Sequence, residues 1–107
     1  MPVGDVPPPI RRFFVTTNAG DTAGFLACFA PGTVLTDWGR TFNGRDGVAR
    51  WNESDNIGVR SKLRLIDIKT VGAAHVATVA VSGDGFNGEG TMMFTLAGGL
   101  IARLDIS

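Results

Sequence analysis

The stretch GEGTMMFTLAGGLIARLDIS, residues 88–107, decides the fold of this chain. It holds two runs of β-forming residues, Gly88–Leu96 and Leu100–Ile106, with Gly98 and Gly99 between them. A connection this short requires antiparallel neighbours, because parallel strands need a crossover of a dozen or more residues. The stretch therefore predicts a β-hairpin at the end of the chain.

The second run alternates in a way that predicts which side of the strand is buried. The apolar positions are Leu100, Ala102, Leu104 and Ile106, and the positions between them are Ile101, Arg103, Asp105 and Ser107. Successive side chains of a strand point to opposite faces of its sheet. We therefore expect the first set to face the core and the second set, with Ile101 beside polar residues, to face outward. An outer face of this mixed kind can pack against a second copy, so we expect a homodimer through it.

Working back from this hairpin, the sequence predicts two further strands and a helix. Lys62–Val71 and His75–Ser82 are β-type runs joined by a short turn. Before them, Arg45–Glu53 carries apolar residues at helical spacing, and Thr33–Asp37 with Arg40–Phe42 suggests a hairpin.

Two helices are predicted ahead of that hairpin. One runs from Ile10 to about Gly20, and the other begins at Asp21 or Thr22 and continues until Pro31 and Gly32. The element order is ααββαββββ, which predicts an α+β domain. A cone-like curved antiparallel sheet would pack on three helices from the first half of the chain. Residues 1–8, rich in proline, are expected to form a flexible tail, and residues 9–107 a single domain.

Composition excludes several kinds of function. Ten basic and ten acidic residues give a net charge of zero, which argues against nucleic acid or an anionic membrane as a partner. No apolar run approaches the roughly 20 residues of a membrane span, so we expect a cytoplasmic protein. One cysteine, Cys28, and one histidine, His75, do not form a disulfide or a zinc site. We expect no metal and no cofactor.

Three motifs carry a family resemblance. They are Asn18-Ala-Gly-Asp21, Phe29-Ala-Pro-Gly-Thr-Val-Leu-Thr-Asp-Trp-Gly39 and Asn43-Gly-Arg-Asp-Gly-Val-Ala-Arg-Trp51. With the element order, they resemble the nuclear-transport-factor-2-like superfamily, in its polyketide-cyclase-like and ketosteroid-isomerase-like branch. The resemblance covers about residues 9–106. It implies a cone-shaped pocket for a small molecule and frequent homodimers, on a scaffold that serves enzymes and binding proteins alike.

The resemblance also implies which residues lie at the pocket. Asp37 falls where the isomerases keep the carboxylate that shuttles a proton. Their two tyrosines fall on Phe13 and Asn52, and their protonated aspartic acid falls at or near Met92. The chain contains no tyrosine. Ketosteroid isomerase activity of the known kind is therefore not expected, since the donors that stabilise the enolate are missing.

Asp37 is the candidate catalytic residue, and Trp38 follows it at the predicted pocket mouth. An indole beside a carboxylate would remove water from it and make it a stronger base. The alternative is a turn aspartate that caps local N–H groups. Trp51 is either core or ligand platform, and in a cone it can be both. The predicted substrate-binding residues are Phe13, Phe14, Trp38, Trp51, Asn52 and Met92.

Other polar residues fit ordinary structural roles. Asp55 could place a second carboxylate at the rim, but its neighbours are typical of a turn. Arg40, Arg45 and Arg50 suit a solvated surface better than an anion site. His75 is expected at an exposed edge, and the glycine-rich segment 83–90 is expected to be a hairpin turn rather than a phosphate loop.

The predicted function is that of a small-molecule pocket protein that acts on an apolar substrate by proton transfer of the cyclase or isomerase type. The alternative is a non-catalytic ligand-binding module or a structural homodimer. An open cavity that reaches Asp37 would favour the first, and side chains that fill it would favour the second.

Overall fold

Three helices pack against one six-stranded sheet in the computed structural model, which describes residues 6–107. The helices are α1 (Pro8–Ala19), α2 (Thr22–Leu26) and α3 (Gly44–Asp55), followed by a 3₁₀ turn at Ile57–Val59. The strands are β1 (Phe29–Asp37), β2 (Arg40–Asn43), β3 (Lys62–Val71), β4 (Ala74–Ser82), β5 (Gly88–Ala97) and β6 (Leu100–Ile106). The predicted order ααββαββββ is confirmed. Residues 1–5 of the expected tail lie outside the described residues, and α1 already begins at Pro8.

The sheet is curved and open, with the strand order β2-β1-β6-β5-β4-β3. Strands β3 to β6 are antiparallel neighbours, as their short connections predict. The sheet is nevertheless mixed, because β1 pairs with β6 in parallel. The expectation of antiparallel pairing alone was wrong at this one junction. The length of a turn indicates only how strands that are consecutive in the sequence pair. Strands β1 and β6 are separated by most of the chain, so no turn length predicts their direction.

The prediction that Ile101 faces outward was also wrong, because β6 contains a β-bulge. Phe94 pairs with Leu104 and Thr95 with Arg103, but Leu96 pairs with Ile101, so Ala102 is an extra residue in β6. One extra residue reverses the facing of everything beyond it. Ile101 therefore joins Leu104 in the core with 0% of its surface exposed. Leu104 faces inward as predicted.

Helix α2 ends sooner than its apolar pattern suggests. It stops at Leu26, and Phe29 is already the first residue of β1. The pairing of β1 with β6 is irregular between Phe29 and Val34, and Pro31 lies in that gap. A proline has no N–H to donate and is tolerated in a strand at such a bulge. Cys28, predicted on this helix, follows it and is buried, and burial raises the pKa of its thiol.

Aromatic side chains fill the core between α1, α2 and the sheet. The ring of Phe13 lies 5.2 Å from that of Phe94, 5.3 Å from that of Phe25 and 5.4 Å from that of Phe14, measured between centroids. Phe29 joins the same cluster. The pairs of Phe13 with Phe14 and Phe94 are edge-to-face, a geometry that stabilises a core beyond the area it buries.

The Asn18–Asp21 motif has a structural role. The Asn18 side chain donates to the carbonyl of Leu63 (2.9 Å) and accepts from its N–H (2.7 Å), which ties the end of α1 to β3. Asp21 caps α2 by accepting from the N–H of Gly24 at 3.0 Å. Over residues 6–107, no helix has the length and apolar character that crossing a membrane requires.

The bulge in β6 makes a testable prediction. Ile101→Ala should lower the free energy of unfolding by about 2–5 kcal/mol, because it opens a cavity in a closed core. Leu100→Ala, which strict alternation would rank as the more damaging change, should cost clearly less because Leu100 is only half-buried. Urea denaturation of the two variants measures the difference, and the reverse ranking would refute the bulge.

Candidate functional site

A cavity of about 230 Å³ opens between α3 and the sheet. Its apolar lining consists of Trp51, Leu63, Val81, Met92 and Ile106, and its polar lining of Asp37, Arg40, Asp55, Asn56, Ser61, Glu89 and Ser107. Trp38, Phe86 and Gly90 complete the lining. Trp38 and Phe86 are 76% and 56% exposed and stand at the mouth. An apolar cavity with a few converging polar groups is the usual form of a small-molecule site.

Asp37 ends β1 on the wall of this cavity, with 13% of its side chain exposed. Its Oδ2 accepts two hydrogen bonds, from Trp51 Nε1 and from an Nη of Arg40, both at 2.9 Å. Together the two donors fix the position of this oxygen. No group within the described residues donates to Oδ1, so this oxygen is free for a ligand.

Arg40 links Asp37 to a second carboxylate. Its guanidinium donates to both oxygens of Asp55 at 3.1 Å, and the Ser54 hydroxyl donates to Asp55 Oδ2 at 2.6 Å. Burial acts to raise the pKa of Asp55, but the bonds from Arg40 and Ser54 outweigh it and leave the pKa below its ordinary value. The bonds to Asp55 in turn raise the pKa of Arg40. Asp55, interpreted above as a turn residue, ends α3 and anchors the arginine of the cavity.

The indole that contacts Asp37 belongs to Trp51, whereas the sequence pointed to Trp38. Trp38 and Gly39 form the two-residue turn between β1 and β2, and their φ angles are 49° and 85°. Positive φ at both positions is the signature of a type I′ hairpin turn, which favours Asn-Gly over a bulky residue. The turn directs Trp38 to the mouth of the cavity, where most of its surface meets solvent.

The other predicted site residues divide between the cavity and the core. Met92 lines the cavity, while Phe13, Phe14 and Asn52 are buried and are not among its lining residues. Asn52 instead accepts from Asn56 Nδ2 at 3.0 Å and from the Ile57 N–H at 3.4 Å, which closes the end of α3.

Sequence reasoning missed Asn56, Ser61 and Phe86 as lining residues. Asn56 belongs to a polar segment that is typical of an exposed turn, yet only 2% of it is exposed. Phe86 was assigned to a hairpin turn, and that turn is present, tied by Asn87 Nδ2 to the Gly83 carbonyl at 3.0 Å. A single aromatic residue within a turn was the one available signal.

The remaining candidates lie away from the cavity. Arg45 donates to the Phe29 carbonyl at 2.8 Å, and Arg50 is exposed. His75, at the start of β4, lies 3.2 Å from the Thr70 hydroxyl. Within the part of the chain that the structure describes, no three His, Cys, Asp or Glu side chains gather in a metal-binding group.

A curved sheet on three helices, with a cavity at its open end, defines the nuclear-transport-factor-2-like class of domain. Within that class the chain belongs to the SnoaL-like domain family, whose model matches residues 10–104. No curated protein matches the chain.

Solved structures support the same assignment. A candidate polyketide cyclase from Sinorhizobium meliloti is 26% identical, with a TM-score of 0.89 and full coverage of both chains (100% of each). A candidate ketosteroid isomerase from Kribbella flavida is 18% identical, with a TM-score of 0.79 over 94% of this chain and 74% of its own. A Mycobacterium tuberculosis protein in complex with estradiol-17β-hemisuccinate is 14% identical, with a TM-score of 0.78 over 92% of this chain and 88% of its own. The last two likenesses establish the fold alone.

The turn at Trp38 makes the second prediction. Trp38→Asn should raise the free energy of unfolding by about 1 kcal/mol, because Asn-Gly suits a type I′ turn and Trp does not. Trp38→Leu is the matched control, since it removes the indole but keeps a residue that disfavours positive φ. Urea denaturation should show a gain for Asn only. Equal stability of the two variants would show that the backbone at Trp38 is unstrained.

Proposed function

We propose that this protein binds a small, largely apolar molecule in the cavity and that Asp37 accepts a proton from it. The observation that carries the proposal is the different hydrogen bonding of the two Asp37 carboxylate oxygens. One oxygen is held by Trp51 and Arg40, and the other faces no described donor at the wall of an apolar cavity. A general base needs this combination of a fixed position and an accessible oxygen.

The size of the cavity limits the ligand. An engineered protein cavity of about 150 Å³ holds benzene, and drug-sized ligands occupy sites of about 300–1,000 Å³. At about 230 Å³ this cavity suits one or two rings. A longer ligand would extend past Trp38 and Phe86, whose exposed rings stand at the mouth.

The polar groups limit the chemistry. Arg40 and Trp51 both bond to Oδ2 of Asp37, so Oδ1 alone is left to receive a proton. Arg40 is also the cationic side chain beside Asp37, so its remaining N–H groups are the best placed to stabilise an oxyanion. We therefore expect slow turnover, of the cyclase or isomerase type, on substrates whose C–H is already acidic. The likeness to a candidate polyketide cyclase supports this reaction class.

The second candidate function is a binding module without catalysis. The ion pairs of Arg40 with Asp37 and Asp55 favour it, because such networks also serve to fix structure without taking part in a reaction. Both candidates share the cavity and differ in whether a proton is transferred.

The third prediction separates these two functions. The bicyclic ketone 2-indanone has acidic α hydrogens, and proton NMR in D₂O follows their exchange. Asp37→Asn should lower enzyme-dependent exchange about 100-fold or more, because a positioned base contributes on that scale. Its affinity for the ketone should stay nearly unchanged. Asp67→Asn, an exposed aspartate of β3 outside the cavity, is the matched control.

Two results would decide against the catalytic proposal. Exchange at the wild-type rate in Asp37→Asn would show that Asp37 is not the base. Binding of the ketone by the wild-type protein without exchange would favour the binding module.

We also propose that the protein forms a homodimer through the outer face of its sheet. Ile101, on which this face was first centred, lies in the core. Met93 takes its place, since it is an exposed apolar residue of β5 that pairs with Val76 on one side and Asp105 on the other. Exposed apolar surface on a sheet face is typical of an interface between copies.

The fourth prediction tests that face. Met93→Asp should convert a dimer into a monomer at micromolar concentration, because it places a charge in an apolar contact. Val15→Asp changes an exposed apolar residue of α1 in the same way and should leave the dimer intact. Sedimentation velocity measures both, and a monomeric wild-type protein would refute the proposal.

A further inference from the structure

We infer that the cavity takes a cation: a small apolar molecule that carries a protonated amino group. This inference rests on the proposed binding function and adds the chemical class of the ligand. It stands on the charge of the lining, on the hydrogen-bonding groups left unused there, and on the aromatic rings at the mouth.

The lining carries excess negative charge. Three carboxylates, Asp37, Asp55 and Glu89, face one guanidinium, Arg40, which leaves a formal charge of −2. Arg40 already donates three hydrogen bonds to Asp37 and Asp55. Glu89 makes no ion pair or side-chain hydrogen bond with any residue in the range 6–107. A cation entering the cavity would therefore meet charge that the protein has not neutralised.

Two side-chain acceptors of the cavity wall, one on Asn56 and one on Asp37, are bonded to no described group. Asn52 Oδ1 accepts from the backbone N–H of Ile57, so the atom of Asn56 that faces it must be the amide nitrogen. That nitrogen also donates to Thr17 Oγ1 at 3.1 Å, which uses both of its hydrogens. Only 2% of the surface of Asn56 is exposed. The one side-chain atom of Asn56 that can still bond to a ligand in the cavity is therefore Oδ1. No described group donates to that oxygen.

Asp37 repeats the pattern. The indole N–H of Trp51 already donates to Asp37 Oδ2, while no described group donates to Asp37 Oδ1. Both oxygens reach the cavity, since Thr33 Oγ1 is the one buried side-chain polar atom among residues 6–107 that lacks a partner. A ligand that donates hydrogen bonds would pair with both oxygens, and an ammonium group has donors and no acceptor.

The aromatic rings at the mouth also favour a positively charged ligand. Trp38 and Phe86 expose large ring surfaces at the mouth, beside the carboxylates. The negative face of an aromatic ring attracts a cation, and alkylammonium groups are commonly bound between such rings. An anion would find one cation in the lining, Arg40, whose charge is already shared by two carboxylates.

The experiment compares three probes of one size and different charge at pH 7: benzylammonium, benzyl alcohol and benzoate. Titrations followed by the NMR signals of the Trp51 indole and the Asn56 side-chain amide give the dissociation constants. Benzylammonium should bind about tenfold more tightly than benzyl alcohol, because it adds attraction to free carboxylates and aromatic rings. Benzoate should bind most weakly.

A charge variant makes the comparison specific to this cavity. Glu89→Gln should weaken benzylammonium binding about threefold and leave benzyl alcohol unchanged, because it removes one exposed charge from the lining. Glu53→Gln removes an exposed charge of α3 outside the cavity and should change neither constant.

The possible failures are distinguishable. Binding of benzyl alcohol or benzoate as tight as that of benzylammonium would overturn the inference and leave the proposed binding function standing. Failure of all three probes at millimolar concentration would overturn both.

Discussion

The parallel pairing of β1 with β6 is the constraint on which the site depends. It joins the first half of the chain, which supplies the helices and Asp37, to the four-stranded meander of the second half. In its register Asp37 lies beside Ile106, and Ile106 pairs in turn with Met92 of β5. A carboxylate and two apolar side chains thus form one row across three strands, and that row is a wall of the cavity.

The Asp37 carboxylate combines two requirements. Bonds from Trp51 and Arg40 hold it in place, and Asp55 holds Arg40. The same bonds occupy one of its oxygens and leave the other for a ligand. A fixed carboxylate with one free oxygen serves equally well to receive a proton or to bind a positively charged group. The two proposals about the cavity therefore draw on the same atoms.

Trp38 illustrates a local conformational cost at the mouth of the cavity. A bulky residue at positive φ is disfavoured, and the turn would form more readily with asparagine there. The ring of Trp38 stays largely exposed, so its burial within the monomer does not offset the unfavourable backbone conformation. A contact with a ligand or a second protein at the cavity mouth is the natural compensation.

Local patterns in the sequence determined the elements of this protein. Short glycine turns, helical spacing of apolar residues and capping groups act between near neighbours, so the order ααββαββββ and the inward facing of Leu104 were predictable from them. The resemblance of the motifs likewise pointed to the family and to Asp37.

Only the tertiary structure decided the facing of Ile101, the parallel junction of β1 with β6, and the partners of Asp37. A bulge at Ala102 shifts the register without a sequence signal, and Trp51, Arg40 and Asp55 meet through packing of α3 on β1. Such contacts join residues that are far apart in the chain, and no periodicity or spacing in the sequence predicts them.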